Sequence, residues 1–339
     1  MPGREQSIKT GRATIHDVAG LAGVSRQTVS RAINDKGEID PDTKERVLQA
    51  ARTLDYRPSR FARGMRQRGT VTVGLVISDL TNPYFPEVAA GVLEVAKERG
   101  WQVVVAESSR GGGDAEIEAL DTLSHQVDAV VGYCDSSDDI LAEHVRGLPL
   151  VLLERGPDQT RFGSVGIDVS DGMRQAVAHL VARGHERIGM LDGAPADNPS
   201  VRRLAFLSQV RAHHLPADEG RVVRSHSHTV AGGEAAMAEL LDAHPDLTAV
   251  VGFNDLIAVG AIRTAQQRSL HVPDDIAVIG FDGLTLGELI TPALTSLVID
   301  KRQVGRLAVD QVARLLAGQE PLTGAGAWVR PELVVRASA

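Results

Sequence analysis

The chain has 339 residues, of which 43% are hydrophobic, so it is long enough for two or three globular domains with substantial cores. Its formal net charge is −8, but residues 1–69 contain 14 Lys and Arg against 8 Asp and Glu, whereas the remainder contains 22 against 36. A basic end joined to an acidic body is typical of a DNA-binding segment attached to a domain that does not bind DNA.

No apolar run approaches the ~18 residues that span a membrane, and the N-terminus lacks the apolar segment of a secretory signal. The single cysteine, Cys134, excludes an internal disulfide and a cysteine-based zinc cluster. We therefore expect a cytoplasmic protein with no membrane partner, no metal site and no cofactor.

The first structured unit is predicted at residues 13–57, after a polar segment, 1–12, that we expect to be disordered. Apolar residues recur at i, i+3, i+4 and i+7 from Ile15, which is the spacing of one helix face. Gly23 tolerates the positive φ of a tight turn, and Ser25 is a good N-cap for a second helix.

The second predicted helix has an apolar side, with Val29 and Ala32, and an opposite side that carries only hydrogen-bond donors and cations. The side chains on that polar side are Arg26, Gln27, Ser30, Arg31 and Asn34. Arg and Gln make bidentate hydrogen bonds to guanine and adenine in the major groove, so the pattern predicts a helix-turn-helix DNA-binding unit. An Asp-Pro pair at 40–41 predicts a third helix that completes its core. The alternative is an ordinary helical hairpin whose charged side is solvated.

From Val71 onward, apolar runs of about five residues alternate with amphipathic stretches, which is the pattern of parallel βαβ units. Predicted strands cover 71–77, 101–106, 128–132, 150–153, 164–167, 188–191, 221–224, 249–253 and 276–281. Predicted helices include 86–99, 114–125, 170–183, 200–213, 232–243 and 255–268. These strands are too many for one sheet of this kind, so we expect an α/β body of two doubly wound, parallel-sheet lobes.

The stretch DVAGLAGVSRQTVSRAIN, 17–34, resembles the signature of the LacI/GalR family of bacterial repressors, and the resemblance extends along almost the whole chain. It implies an N-terminal all-α helix-turn-helix headpiece followed by a periplasmic-binding-protein-like effector-binding and dimerisation domain at 71–339. We expect Arg26, Gln27 and Arg31 to contact base edges. The residues expected to contact phosphates are Thr14, Ser25, Thr28, Ser30 and Asn34.

Residues 58–70 connect the two parts, and in the family this segment forms a hinge helix that enters the minor groove of bound DNA. The candidate contacts are Ser59, Ala62 and Met65, although the family usually has asparagine and leucine at the first and last of these positions. A flexible linker is the alternative in the free protein, because Gly64 disfavours an isolated helix by ~1 kcal/mol relative to Ala.

The resemblance also implies that the chain crosses several times between the lobes. The implied bounds are about 71–168 and part of 296–339 for lobe one, and about 169–295 for lobe two. The stretch TPALTSLVID, 291–300, resembles the family's return crossing. It would direct a final helix, 301–317, and a last strand near 328–335 back towards lobe one.

In doubly wound sheets, ligands bind beyond the carboxyl ends of the strands. Polar residues at these positions and at one helix start therefore predict a cleft between the lobes that binds a small-molecule effector. The candidates are Ser78, Arg110, Glu154, Arg202, Asn254, Asp255 and Asp282, with Tyr84 and Phe85 as a stacking wall. Carboxylates beside Arg suit vicinal hydroxyls or a carboxylate, because each makes paired charge-assisted hydrogen bonds. For each charged residue, the alternative is a structural cap or an ion pair between the lobes.

We therefore expect a sequence-specific DNA-binding transcriptional regulator, a repressor, that binds a pseudopalindromic operator in double-stranded DNA as a homodimer. A small-molecule effector, for which we favour a sugar, would control it from the cleft. The alternatives are a repressor that needs a nucleobase or another small metabolite as corepressor, and a solute-binding protein. A tetramer is left open without support from the sequence. The chain has no Ser-His-Asp arrangement, nucleophile elbow or phosphate-loop motif, so we do not expect an enzyme.

Overall fold

A computed structural model of the protein describes residues 15–33, 39–54, 70–108, 113–145, 147–155, 159, 161–194, 198–322 and 327–339. Several predicted features lie outside these residues. They are the segment 1–12, nearly all of the hinge at 58–70, and the candidates Thr14, Asn34, Ser59, Ala62, Met65 and Arg110. These features stay predictions.

The headpiece contains α1 (Ile15–Ala22), α2 (Arg26–Ile33) and α3 (Pro41–Thr53). Val18, Val29 and Val47 contribute one fully buried side chain from each helix to a common apolar cluster. The third helix is capped as the sequence predicts, because Oδ2 of Asp40 accepts a hydrogen bond of 3.0 Å from the backbone N–H of Thr43. The helical headpiece that the sequence predicts is therefore confirmed.

Lobe one begins with alternating strands and helices. They are β1 (Thr72–Ile77), α4 (Tyr84–Glu98), β2 (Gln102–Glu107), α5 (Asp114–Ser124), β3 (Ala129–Gly132), α6 (Asp138–Val145), β4 (Leu150–Leu153) and β5 (Gly163–Ile167). Every residue of β1 is buried, as expected for a strand with helices on both faces of its sheet. Strands β4 and β5 pair in parallel, and the described residues between them, 154–155, 159 and 161–162, form no helix.

Lobe two repeats this alternation. It contains α7 (Val169–Ala182), β6 (Ile188–Asp192), α8 (Val201–Ala212), β7 (Val222–Arg224), α9 (Val230–Ala243), β8 (Ala249–Gly252), α10 (Asp255–Gln267), β9 (Ala277–Asp282), α11 (Thr285–Leu289) and β10 (Thr295–Val298). The β8 and β9 strands are fully buried and apolar apart from Asp282, whose position at the end of β9 brings its carboxylate to the edge of the sheet.

The chain ends with α12 (Lys301–Leu316), β11 (Trp328–Val329) and β12 (Glu332–Val334). Helix α12 packs on α4 and the lobe-one sheet. Over the described residues, each lobe has a six-stranded sheet, in the orders β11-β5-β4-β3-β1-β2 and β12-β10-β9-β8-β6-β7. Neighbouring strands are parallel except β10 and β12, which are antiparallel. The predicted fold class, a helical headpiece followed by two largely parallel α/β lobes, is therefore confirmed.

The last segment corrects one prediction. A single strand near 328–335 was expected to return to lobe one, but only Trp328–Val329 pairs there, with β5. After Pro331 the chain crosses again, and Glu332–Val334 pairs with β10 of lobe two. Proline has no backbone N–H and interrupts a strand, so it separates the two short strands.

These crossings connect the lobes so that the carboxyl ends of β4 and β9 lie on the same cleft. Buried side chains of both sheets also share one apolar cluster, which includes Leu75 of lobe one and Phe281 of lobe two. Within the described ranges, no helix combines the length and apolar character needed to cross a bilayer.

Candidate functional site

The exposed side of α2 carries the predicted DNA contacts. Arg26, Gln27 and Arg31 are exposed, whereas Val29 and Ala32 are buried against the other helices. A helix that follows a tight turn and shows a row of donors to solvent has the geometry that enters a major groove.

The start of α2 is organised by hydrogen bonds that involve two of the predicted phosphate contacts. Ser25 Oγ accepts from the backbone N–H of Thr28 at 3.2 Å and lies 2.9 Å from Thr28 Oγ1. His16 of α1 was not among the candidates, yet its Nε2 lies 3.1 Å from Nη1 of Arg26. It therefore orients the guanidinium at the start of α2.

In the body, Glu154 follows β4 of lobe one and Asp282 ends β9 of lobe two. Both have positive φ angles, 56° and 119° respectively. Non-glycine residues in this region cost of order 1–3 kcal/mol each, and they persist where the surrounding structure holds them at ligand-binding positions. Both cleft carboxylates are therefore attached to strained backbone.

Arg202, in the first turn of α8, lies between these carboxylates. Its Nη2 is 3.3 Å from Oε2 of Glu154 and 3.6 Å from Oδ1 of Asp282, and its residue exposure is only 6%. Its Nη1 donates a hydrogen bond of 2.6 Å to the carbonyl oxygen of Phe253. The guanidinium carbon lies 4.4 Å and 4.1 Å from the ring centroids of Phe253 and Phe281, distances typical of cation–π contacts. We call Glu154, Arg202 and Asp282 the Arg202 clamp.

The lobe-one wall of the cleft is aromatic. The rings of Tyr84, Phe85 and Tyr133 contact one another edge to face, with centroid distances of 5.0 to 6.1 Å. Tyr84 Oη donates to Oε1 of Glu154 at 2.5 Å, so the wall and the clamp are joined by a hydrogen bond.

Burial dominates the protonation of this cluster. It raises the pKa of Asp282 well above its usual value; the Arg202 guanidinium opposes this, while the Asp255 and Glu154 carboxylates add to it. Burial, followed by the charge of Glu154, likewise raises the pKa of Tyr84, so its hydroxyl stays a donor at neutral pH.

Other candidates do not join the clamp. Asn254 Oδ1 accepts from the backbone N–H of Ile257 at 2.9 Å and caps α10. Both carboxylate oxygens of Asp255 accept hydrogen bonds of 2.5 Å inside lobe two, from Leu284 N and Ser296 Oγ. These contacts match the structural alternative that the sequence left open. Ser78 is half-buried directly after β1.

Sequence reasoning missed the aromatic residues of the lobe-two wall. Phe253 and Phe281 end predicted strands but are not among the predicted site residues, and neither is His228. The His228 ring stacks 4.7 Å from that of Phe253, and its Nε2 lies 3.0 Å from the carbonyl oxygen of Gly193. The rule that ligands bind beyond the carboxyl ends of strands, which we call the strand-end rule, also identifies Phe253 if apolar residues are counted as well as polar ones.

Taken together, the cleft offers two carboxylates, one guanidinium and aromatic faces from both lobes. Such a set binds a small polyhydroxylated or flat ligand by charge-assisted hydrogen bonds and ring contacts.

Comparison with known proteins identifies the family. The model of bacterial regulatory proteins of the lacI family matches residues 14–59, and that of the periplasmic binding protein-like domain matches residues 177–339. Catabolite control protein A of Priestia megaterium is 32% identical over 304 residues, which cover 87% of this chain and 90% of the relative. The chain belongs to the LacI family.

Solved structures of similar proteins agree with the LacI-family assignment. A complex of the transcriptional regulator CelR with cellobiose has a TM-score of 0.71 at 32% identity and covers 97% of this chain and 100% of that one. A lac repressor dimer bound to operator and the anti-inducer ONPF has a TM-score of 0.71 at 28% identity, with coverages of 97% and 99%. The predicted function, a DNA-binding transcriptional regulator, is thereby confirmed.

Proposed function

We propose that this LacI-family protein is a repressor that binds a pseudopalindromic operator as a homodimer, and that a sugar bound between its lobes controls operator binding. The observation that carries the proposal is the Arg202 clamp, because its charged groups come from both lobes. A ligand that binds there contacts both lobes at once, so it favours the relative position of the lobes to which it binds more tightly. Because the protein acts on bacterial DNA, we place it in the cytoplasm.

We assign operator recognition to the exposed side of α2. Arg26, Gln27 and Arg31 are assigned to base edges, since their side chains match the donor and acceptor pattern of purines in the major groove. Ser25, Thr28 and Ser30 are assigned to phosphates, which fix the register of the helix on the duplex. Additional contacts from Thr14, Asn34 and the hinge residues Ser59, Ala62 and Met65 remain predictions.

A sugar fits the chemistry of the cleft. Sugars present vicinal hydroxyls, for which Glu154 and Asp282 supply acceptors and Arg202 supplies donors. They also present apolar C–H faces, which suit aromatic rings such as that of Tyr84. The similar CelR structure is named as a cellobiose complex, which supports the same ligand class here.

A nucleobase corepressor is the second candidate. The aromatic rings of the two walls, Tyr84 with Phe85 on one side and His228 with Phe253 on the other, favour a flat ligand that stacks. Such a ligand would strengthen operator binding, whereas we expect a sugar to weaken it.

Exposed apolar side chains support the homodimer. In lobe one they include Leu93 on α4 and Val104 and Val105 on the edge strand β2, besides the separate positions Leu80 and Ile140. In lobe two they include Leu286 and Leu289 on α11 and Val335 near the C-terminus, besides Val201 and Leu204 on α8. An exposed edge strand with apolar side chains is a surface that soluble proteins normally cover. We propose that a second copy of the chain covers it, because an operator with two half-sites requires two headpieces.

Ligand control would act through the contact between the lobes. A sugar that takes over the partners of Arg202 changes the separation of Glu154 and Asp282. The lobe-one surfaces of the two subunits then shift, and with them the spacing of the headpieces. The usual coupling in such systems is ~1–3 kcal/mol, or ~5–150-fold in affinity.

Selection from randomised double-stranded oligonucleotides by the full-length protein tests DNA recognition. We expect a pseudopalindromic consensus, and the absence of any sequence preference, with or without ligand, would reject the proposal. Fluorescence anisotropy on the selected operator, titrated with cellobiose, lactose, hypoxanthine and guanine, then tests the effector. Weaker operator binding with a sugar supports induction, whereas tighter binding with a nucleobase alone supports the second candidate.

A further inference from the structure

Lys301, the first residue of α12, is almost completely buried, with an exposure of 4%. Its Nζ donates hydrogen bonds to the carbonyl oxygens of Asp282, at 2.8 Å, and Gly283, at 2.9 Å. The carbonyl oxygen of Ile299 lies 3.5 Å away. Burial of an ammonium group destabilises a protein unless its N–H donors make hydrogen bonds. Here the carbonyl oxygens of the loop at residues 282–284, which we call the Asp282 loop, accept those hydrogen bonds.

The same loop is bound from its amide side by a buried anion. The backbone N–H of Leu284 donates to Oδ2 of Asp255 at 2.5 Å. The N–H of Gly283 donates to Ser296 Oγ at 3.2 Å, and that hydroxyl donates to Oδ1 of Asp255 at 2.5 Å. Residues 282–284 are therefore held between a cation on their carbonyl side and a carboxylate on their amide side.

This arrangement is needed because the loop has an unusual conformation. Asp282 has a φ of 119° and Gly283 a φ of 69°, two consecutive residues in a region that L side chains rarely adopt. A Cβ at Gly283 would lie 2.7 Å from Cα of Val298, so the loop also packs tightly against β10. Such strain persists only when surrounding contacts determine it, and those contacts include Lys301 and Asp255.

Lys301 also reaches lobe one. Its Nζ lies 3.5 Å from Oε2 of Glu87, in the first turn of α4, the same turn that supplies Tyr84 and Phe85 to the cleft. The Lys301 ammonium therefore contacts the backbone carbonyl of Asp282 in lobe two and the Glu87 carboxylate of α4, the helix that carries Tyr84 and Phe85, in lobe one.

We propose that Lys301 is a positioning residue for the effector site. It fixes the strained backbone of Asp282, and through Glu87 it fixes the first turn of α4 relative to that carboxylate. The part that concerns ligand affinity rests on the proposed function, whereas the part that concerns the loop does not.

Hydrogen exchange of the full-length protein tests the loop directly. Lys301→Met keeps a side chain of similar length but removes the positive charge and the N–H donors. In this variant we expect the backbone amides of residues 283–284 to exchange about 10-fold faster or more, because the charged hydrogen bonds to the loop are lost. Lys301→Arg, which keeps donors, should restore protection, and Arg302→Met, at the adjacent exposed position, should leave it unchanged. Unchanged protection in Lys301→Met would overturn the proposal.

Calorimetric titration with cellobiose and lactose tests the effect on the site. We expect Lys301→Met to weaken the binding of whichever sugar the wild type binds by about 10-fold or more, with recovery in Lys301→Arg. If the wild type binds neither sugar, the sugar assignment fails and the exchange result alone decides the role of Lys301.

Glu87→Gln provides a second variant if Lys301→Met does not fold. Its matched control is Glu94→Gln on the same helix, because Glu94 also pairs with α12, through Arg302 and Arg306, and is equally exposed. We expect faster exchange at 283–284 in Glu87→Gln but not in Glu94→Gln. Equal behaviour of the two variants would contradict the link through Glu87.

Discussion

Nη2 of Arg202 lies 3.3 Å from Oε2 of Glu154, and this ion pair joins lobe two to lobe one across the cleft. Asp282, only 3.6 Å from the same nitrogen, belongs to the lobe that carries Arg202. The guanidinium is therefore fixed in one lobe by Asp282 and the two phenylalanine rings, and the carboxylate of the other lobe approaches it. In this conformation, carboxylates from both lobes therefore surround the same buried guanidinium.

Replacement of Arg202 by Met should abolish the ligand response and destabilise the body. Removal of one partner from a buried charge cluster costs about 3 kcal/mol or more, although protonation of Asp282 will offset part of this. Chemical unfolding followed by intrinsic fluorescence measures the stability, and calorimetry measures ligand affinity. Operator binding without ligand should persist, because α2 is not altered.

Arg203→Met is the matched control for that experiment. Arg203 is adjacent on α8 and also buried, but it pairs with Glu219, an exposed residue of lobe two, and not with the carboxylates of the clamp. The Arg203→Met protein should be less stable than the wild type but should retain the ligand response. A ligand response in Arg202→Met equal to that in Arg203→Met would contradict the role of the clamp.

The buried carboxyl of Asp255 should make stability depend on pH. Burial raises its pKa to about 6, whereas the unfolded chain has a value near 3.9. Between these values the folded state binds more protons at this site than the unfolded state, so this group makes the free energy of unfolding fall as pH rises. The slope is at most ~1.4 kcal/mol per pH unit and vanishes above about pH 6.

Asp255→Asn should lack this contribution, so the difference in free energy of unfolding between wild type and variant should fall as pH rises when it is measured by urea unfolding at pH 5, 6 and 7. Asp242→Asn is the control, because a hydrogen bond from Arg268 lowers the pKa of that exposed carboxyl and moves its titration below this window. If the free energy of unfolding had the same pH dependence in wild type and Asp255→Asn, Asp255 would titrate outside this pH range.

Arg26→Ala should change which operators the protein prefers. Loss of a bidentate base contact costs ~1–3 kcal/mol and relaxes selectivity at one position of each half-site. Repeated selection from randomised oligonucleotides measures this change as a weaker base preference at that position of the consensus. Arg52→Ala, on the exposed side of α3, removes the same charge and should leave the consensus unchanged. A uniform loss of affinity for all sequences in Arg26→Ala would assign Arg26 to a phosphate instead.

Val105→Glu should dissociate the proposed dimer. Val105 is 43% exposed on the edge strand β2, and a charge there would be buried without a partner in a dimer contact. Sedimentation equilibrium should show monomers, with weaker operator binding as a consequence. Leu204→Glu, at an exposed apolar position on α8 outside the proposed contact, should remain dimeric. A dimeric Val105→Glu protein would exclude this surface.

Much of the fold followed from local patterns. The i, i+3, i+4, i+7 spacing from Ile15 predicted α1, the Asp40 cap predicted the start of α3, and the apolar runs predicted strands close to their observed bounds. The strand-end rule also identified Glu154 and Asp282, because it needs only the position at which each apolar run stops.

Tertiary structure alone decided what those residues do. The same strand-end rule selected Asn254 and Asp255, yet their partners lie within lobe two, while Lys301 had no local signal for its contacts with the Asp282 and Gly283 carbonyl oxygens. Likewise, the pairing of 328–334 with two different sheets depends on strands far earlier in the chain.

Periodicity and capping are properties of neighbours along the chain, so the amino-acid sequence by itself determined the elements and the polar face of α2. The cleft is different, because Glu154 and Arg202 are 48 residues apart and meet only when two lobes are brought together by repeated crossings. Which carboxylate pairs with the guanidinium, and which stays inside a lobe, depends on burial and distance in the folded protein. Those quantities exist only after the long-range packing is complete.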